Sequence, residues 1–269
     1  MHPSHSRTLL DRVVAGDGPP VVLIHGTGAD AGSNWGPLID SLSGRYTVVA
    51  PNLPGAGGTP VGTDRLELDQ LAGSVVSTVQ DVVGTVQPWH LVGHSLGAVV
   101  ATAVAARAPE QVRSLLLHAG WVTTGPREVL MFDLWSRLLA IGPEMLARHL
   151  VLEAMSPALL QSASTQLLDE MVVGFTALLD SRITAQIDLD GRIDLASAVN
   201  GIRAATLVLA SADDRIIPPP HQRALTEAIP NARYRELPGG HGLPFEDPAR
   251  FFLAITEWID EQQAQRDAA

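Results

Sequence analysis

Residues Leu91–Val100 read LVGHSLGAVV, and this stretch decides the fold. Its apolar first half predicts a buried strand, its glycines predict a tight turn, and its second half predicts the start of a helix. The segment Gly93–Gly97 fits the pattern G-x-S-x-G, which lifts a serine clear of the end of a strand. A serine hydroxyl is a useful nucleophile only beside a base and a group that stabilises negative charge. Ser95 is therefore a candidate nucleophile whose partners must lie elsewhere in the chain.

Strands and helices alternate on both sides of this stretch. Alternation of this kind predicts an α/β fold built on a mostly parallel sheet flanked by helices. The further predicted strands are Thr8–Val14, Val21–Ile24, Tyr46–Ala50, Val112–His118, Ala205–Ala210 and Arg233–Glu236. The predicted helices include Trp35–Ser43, Leu96–Arg107 and Pro219–Ala228.

Residues 122–200 interrupt the alternation, because they contain helical patterns and no convincing strand. Within them, Leu130, Leu134 and Leu138 fall on one face of a predicted helix. A segment of about eighty residues is far longer than one crossover between parallel strands requires. A helical cap inserted into the core is therefore favoured over helices that belong to the core layer itself. The predicted division is core at 7–121 and 201–264, with the cap at 122–200.

Three predicted strand ends carry the side chains that serine chemistry needs. In a parallel sheet these ends meet at one edge. Ser95 follows one strand, Asp213 and Asp214 follow another, and His241 follows the last in a glycine-rich loop. An imidazole can take the serine proton and return it to a leaving group, while a carboxylate orients the imidazole. Both Asp213 and Asp214 follow the strand Ala205–Ala210, so their position alone does not choose between them as the acid.

A negatively charged intermediate also needs two N–H donors. The Leu96 amide, directly after the candidate nucleophile, supplies one, and we expect Thr27, in the loop after Val21–Ile24, to supply the other. The residues expected beside the substrate are Gly28, His94, Trp121, Leu134, Trp135 and Leu138.

Composition narrows the possible partners. The 269-residue chain has no cysteine, and all 18 basic residues are arginine, which excludes thiolate metal sites, cysteine nucleophiles and lysine Schiff bases. The net charge of −11 and scattered arginines argue against a nucleic-acid surface. No apolar run approaches the roughly 18 residues of a membrane span, and a cytoplasmic protein is expected. We expect a small-molecule substrate, no cofactor and no metal, and the oligomeric state stays open.

Four motifs, taken together, resemble those of the α/β-hydrolase superfamily. They are HGTG at 25–28, GHSLG at 93–97, ADDRIIP at 212–218 and GGHGLPFEDP at 239–248. The resemblance implies an eight-stranded type of sheet, with the cap inserted after the sixth strand. It also implies that the acid is Asp214, which lies four residues before Pro218, although Ser211 replaces the glycine usual in that motif.

The resemblance further implies a serine hydrolase that cleaves an ester, thioester or lactone of a small, largely apolar substrate through an acyl-enzyme. Relatives with similar residues perform carbon–carbon bond hydrolysis, cofactor-free perhydrolysis, acyl transfer or lyase chemistry, so these remain alternatives. A member of the fold that binds a ligand without turnover is a further alternative.

Overall fold

The computed structural model describes residues 9–267, which build a mostly parallel sheet with helices on both faces. The strands are β1 (Arg12–Ala15), β2 (Pro20–Ile24), β3 (Thr47–Pro51), β4 (Trp89–His94), β5 (Val112–His118), β6 (Ala205–Ser211) and β7 (Arg233–Leu237). Within these residues the strand order is β1-β3-β2-β4-β5-β6-β7, and only β1 runs antiparallel to its neighbour. The predicted α/β class is confirmed.

Eleven α-helices connect and cover these strands within residues 9–267. They are α1 (Ala31–Leu42), α2 (Leu68–Val83), α3 (Leu96–Arg107), α4 (Pro126–Ile141), α5 (Pro143–Ala154), α6 (Pro157–Ser162), α7 (Thr165–Leu178), α8 (Thr184–Asp190), α9 (Pro219–Ala228), α10 (Leu243–Glu246) and α11 (Pro248–Asp267). None of these helices combines the length and the apolar character that crossing a membrane requires.

The central strands are buried on both faces, which explains their continuous apolar runs. Successive side chains of a strand point to opposite faces, so alternate residues enter two different cores. Val22 and Ile24 of β2 pack on the side of α2 and α3, whereas Val21 and Leu23 pack on the side of α1 and α11. Apolar burial on both sides makes the sheet a rigid platform for the loops at its edge.

The register of the parallel strands brings their carboxyl ends to one edge. Ile24 at the end of β2 lies opposite Gly93, and His94 at the end of β4 lies opposite His118. The chain leaves β2, β4, β5 and β6 on the same side, and the loops that follow them converge there. This edge carries the candidate site.

Helices α4 to α8, here called the inserted helices, lie between β5 and β6. The structure corrects the expected strand count, because the insertion follows the fifth of seven strands in the described residues. Only one short antiparallel strand, β1, precedes β2 there. The first residue of the predicted strand Thr8–Val14 lies outside the described residues.

Two local expectations are also corrected. Helix α1 begins at Ala31 rather than Trp35, because Asp30 caps it: the Asp30 carboxylate accepts a hydrogen bond from the Ser33 amide at 2.7 Å. The apolar face of α4 that packs inward carries Phe132 and Trp135, while Leu134 is 41% exposed.

Candidate active site

Ser95 occupies the sharp turn between β4 and α3. Its backbone has φ 55° and ψ −121°, a region that costs a non-glycine residue conformational energy and tends to mark functional positions. Two glycines make room for the turn. A Cβ on Gly93 would overlap the carbonyl oxygen of Gly97, and a Cβ on Gly97 would overlap that of Ile24. The turn holds the Ser95 hydroxyl at the carboxyl edge of the sheet.

The imidazole of His241 lies between Ser95 and Asp214. Its Nε2 is 3.1 Å from Ser95 Oγ, and its Nδ1 is 2.9 Å from Asp214 Oδ2 and 3.1 Å from Asp214 Oδ1. A carboxylate accepts, so Nδ1 carries the proton and Nε2 is left with a lone pair facing the serine hydroxyl. The arrangement can therefore take the Ser95 proton.

Asp214, and not Asp213, reaches the histidine. Asp214 Oδ1 also accepts hydrogen bonds from the Ile216 amide at 2.9 Å and the Ile217 amide at 2.8 Å, which hold the buried carboxylate in place. The neighbouring Asp213 is exposed, and its amide donates to the carbonyl of Gly239.

The loop of His241 is held by the inserted helices. Glu246 Oε2 accepts from the Gly240 amide at 3.1 Å and from the Ser156 amide, between α5 and α6, at 2.9 Å. The Gly242 amide donates to the carbonyl of Ala154 at 2.8 Å. The position of the imidazole therefore depends on the packing of α5.

Two backbone amides are available beside Ser95. In the loop after β2, the Gly26 amide donates to Asn34 Oδ1, the Gly28 amide to Gln186 Oε1 and the Ala29 amide to the Gly26 carbonyl. Among the four amides of residues 26–29, the Thr27 amide is therefore the one that has no acceptor within the described residues. The Leu96 amide belongs to the first turn of α3, where amides lack partners within the helix.

The other histidines at this edge are neutral. Burial lowers the pKa of His25 to about 4, and its Nε2 accepts from the Leu53 amide at 2.9 Å. Burial also holds the pKa values of His94 and His118 well below the usual range, and their Nδ1 atoms share a hydrogen bond of 2.8 Å. His118 Nε2 lies 2.9 Å from Ser211 Oγ. These rings add no positive charge beside His241.

A cavity of about 590 Å³, counting the space open to solvent, lies above Ser95 and His241. Thr27, Asn34 and His94 add polar groups to its wall, and the rest is mainly apolar. The larger apolar side chains are Trp135, Leu150, Phe175, Leu178, Leu179, Ile216 and Phe245. Three of the inserted helices, α4, α5 and α7, contribute to this wall and therefore shape the cavity.

A family model described as the alpha/beta hydrolase family matches residues 21–254. The chain belongs to the alpha/beta hydrolase family. This confirms the superfamily that the four motifs resemble, and hydrolytic activity is supported by the names of related proteins.

Relatives of this alpha/beta hydrolase match over nearly their whole length. The "Pyrrolizixenacetamide deacetylase" of Xenorhabdus hominickii is 32% identical, with 91% of this chain and 92% of the relative covered. The "Putative carbamate hydrolase RutD" of Azorhizobium caulinodans is 32% identical, with coverage of 90% and 88%. Among solved structures, "Putative non-heme bromoperoxidase BpoC" from Mycobacterium tuberculosis H37Rv has a TM-score of 0.84 at 24% identity, covering 97% of this chain and 99% of that one. That last likeness shows the fold alone.

The residues expected beside the substrate divide into two groups in this hydrolase. Gly28, His94 and Trp135 line the cavity, whereas Trp121, Leu134 and Leu138 do not. Trp121 is buried elsewhere and its Nε1 donates to Thr124 Oγ1 at 2.9 Å. Leu134 faces outward, because α4 turns Phe132 and Trp135 inward instead.

Two residues of α8 that contact the candidate site lie outside the motifs. Gln186 and Asp190 contact the loop of Thr27 across 158 and 163 residues of sequence, and these contacts follow only from the packing of the inserted helices. Glu246 lies within the motif at 239–248, but its contact with the Ser156 amide spans 90 residues and also follows only from that packing. Within residues 9–267 no group of three or more His, Asp or Glu side chains is arranged to hold a metal ion.

Proposed function

We propose that this chain is a serine hydrolase that cleaves an ester, thioester or lactone of a small, largely apolar substrate. The observation that carries the proposal is the hydrogen-bonded series Ser95 Oγ, His241 and Asp214, with contacts of 3.1 and 2.9 Å, beneath an apolar cavity. A hydroxyl, a base and an orienting carboxylate in this arrangement are the requirements for nucleophilic acyl transfer.

In the proposed reaction Ser95 Oγ attacks the substrate carbonyl while His241 Nε2 takes its proton. The Asp214 carboxylate stabilises the imidazolium and keeps the ring oriented. The oxyanion accepts hydrogen bonds from the Leu96 and Thr27 amides. His241 then protonates the leaving group, and an acyl group remains on Ser95. His241 then takes a proton from a water molecule, whose oxygen attacks the acyl carbon. The bond from that carbon to Ser95 Oγ breaks, His241 returns the proton to Oγ, and the acid leaves.

The cavity wall supports an apolar acyl group. Trp135, Phe175 and Leu179 present carbon surfaces toward Ser95, and burying such surfaces stabilises a bound apolar chain by about 25 cal/mol per Å². No arginine lines the cavity in the described residues, so nothing there recognises an anionic substrate through a salt bridge.

A second candidate function is the cleavage of an acyl–nitrogen bond. It is favoured by the names of two relatives at 32% identity, the "Pyrrolizixenacetamide deacetylase" and the "Putative carbamate hydrolase RutD". The same Ser95 attack and proton return by His241 serve an amine leaving group, which needs protonation more than an alcohol does.

The test is a substrate panel run with the wild type, Ser95→Ala and the control Ser162→Ala, which alters an exposed serine of α6. The panel contains p-nitrophenyl esters of increasing chain length, a lactone, an acyl thioester, an aryl acetamide and an aryl carbamate. We expect turnover of neutral esters by the wild type and Ser162→Ala, and none above background by Ser95→Ala. Turnover by Ser95→Ala would show a different nucleophile, and a clear preference for the acetamide or carbamate would select the second candidate.

A further inference from the structure

Helix α8 contacts the loop of Thr27 through two buried side chains. Thr27 Oγ1 donates to Asp190 Oδ2 at 2.6 Å. Gln186, one turn earlier, accepts from the Gly28 amide at 3.1 Å and donates to the Pro54 carbonyl at 2.8 Å. The Thr27 hydroxyl and the Gly28 amide are therefore hydrogen-bonded to α8, whereas the Thr27 amide has no acceptor within the described residues. Helix α8 therefore holds the Thr27 side chain and the Gly28 amide, on either side of the Thr27 amide.

Asp190 is an unusual partner, because its carboxyl is buried without a cation. Only 1% of the residue is exposed, and its Oδ1 has no hydrogen-bond partner in the described part of the chain. Its backbone is also fixed, since the carbonyl accepts from Thr124 Oγ1 at 2.6 Å. An ionised carboxylate with one hydrogen bond and no counter-ion is costly in such a place, which favours the neutral acid.

The charged groups near α8 pair with one another rather than with Asp190. On α8 itself and just after it, Asp188 accepts from Arg192 at 2.9 Å and from Arg65 at 2.8 Å. In the loop of Thr27, the Asp30 carboxylate caps α1 and His25 is neutral. The remaining pairs on the elements that pack against α8 are Glu128 with Arg127 and His221, Asp133 with Arg137, and Asp180 with Arg182. Burial therefore dominates, and it raises the pKa of Asp190 to about 8.

We propose that Asp190 is a positioning residue for the oxyanion site: its neutral carboxyl holds Thr27 so that the Thr27 amide points at the reacting carbonyl oxygen. The inference rests on the proposed hydrolase function. Loss of the Asp190 proton places a negative charge against the loop that must stabilise a second negative charge, the oxyanion. Activity therefore falls when pH rises enough to ionise Asp190.

The first experiment compares kcat between pH 6 and pH 10 for the wild type, Asp190→Asn and Asp188→Asn. Asparagine keeps the shape and a hydrogen bond to Thr27 but cannot ionise, and Asp188 is a partly exposed control on the same helix. We expect the wild type and Asp188→Asn to lose about tenfold in kcat one pH unit above the midpoint of the decline. Asp190→Asn should change by less than about twofold over that range. An alkaline decline shared by Asp190→Asn, or absent from the wild type, overturns the proposal.

The second experiment tests the contact itself with Thr27→Val, Thr27→Ser, Asp190→Ala and the double variant Thr27→Val/Asp190→Ala. We expect Thr27→Val and Asp190→Ala each to lower kcat by about tenfold with little change in KM, and the double variant to be no worse than either. Thr27→Ser retains the hydroxyl that donates to Asp190, and it should restore most of the kcat that Thr27→Val loses. Effects on kcat that multiply in the double variant contradict the proposal. If Asp190→Ala does not fold, the kcat values of the two Thr27 variants and the pH profile of Asp190→Asn test the proposal.

A fluorophosphonate probe separates this inference from the function on which it rests. Absence of labelling on Ser95 in the wild type overturns the proposed function, and the Asp190 inference with it. Normal labelling of Ser95, together with wild-type pH profiles in Asp190→Asn, overturns only the role of Asp190.

Discussion

The Nε2 atom of His241 lies 3.1 Å from Oγ of Ser95, although 146 residues separate the two in sequence. Nearly half of that separation is the inserted helices, which also hold the His241 loop through Ser156 and Glu246. The proximity is therefore a product of the sheet edge and of the helices that pack over it.

The two adjacent aspartates after β6 should differ sharply in function. Asp214→Asn leaves a side chain of the same shape but removes the charge that stabilises the imidazolium, so kcat should fall by about a hundredfold or more. Asp213→Asn is the matched control, because that side chain is exposed and His241 Nδ1 bonds to Asp214 instead, and it should stay close to wild type. Steady-state kinetics on one p-nitrophenyl ester measures both. The reverse order would identify Asp213 as the acid.

Chain-length preference should depend on Phe175 at the cavity wall. Phe175 and Phe245 form an edge-to-face pair with centroids 5.6 Å apart, and both line the cavity. Phe175→Ala opens this wall, and the ratio of kcat/KM for the octanoate ester to that for the acetate ester should rise by about tenfold. Val173→Ala, on the exposed face of the same helix, is the control and should leave the ratio unchanged. An unchanged ratio in Phe175→Ala would mean that the acyl group lies elsewhere.

The turn at Ser95 should be intolerant of a single methyl group. A Cβ on Gly97 overlaps the carbonyl oxygen of Ile24, so Gly97→Ala should destabilise the fold by at least about 3 kcal/mol. Gly36 in α1 has open space around its Cα, and Gly36→Ala should be neutral or stabilising by up to about 1 kcal/mol. Urea denaturation followed by circular dichroism measures both. A stable Gly97→Ala protein would show that β2 and α3 can separate without cost.

Buried His90 should make the fold acid-sensitive. Burial lowers the folded-state pKa of His90 to about 4, below the usual 6.5, so the unfolded chain binds the proton more readily between these values. The stability contributed by neutral His90 is complete above pH 6.5 and is lost as pH falls toward 4, by at most about 1.4 kcal/mol per pH unit. His90→Asn retains a hydrogen-bonding group near Ser114 and should flatten the dependence of Tm on pH in this window. The two proteins should show parallel curves above pH 6.5. Equal slopes below pH 6.5 would contradict the assignment.

Much of the fold follows from local patterns. The predicted bounds of Leu96–Arg107, Val112–His118 and Pro219–Ala228 agree with the structure, because a buried strand or helix with a proline or glycine boundary carries its own signals. The family could also be predicted from the sequence, because its four motifs are short local stretches in the loops at the ends of strands.

The parts that local patterns missed depend on tertiary packing. Helix α4 has two overlapping apolar faces, and only its contacts with neighbouring helices select the one with Phe132 and Trp135. The contact of Asp190 with Thr27 spans 163 residues, so no sequence period reports it. The same holds for the walls of the cavity, and therefore for the detailed shape of the substrate.

The most direct test of the central claim is mass spectrometry of the protein quenched during turnover of a p-nitrophenyl ester. We expect an acyl group on the peptide that contains Ser95, together with a burst of about one p-nitrophenol per active site. The adduct and the burst should both be absent from Ser95→Ala. An acyl group on a different residue, or a burst that persists in Ser95→Ala, would contradict the account.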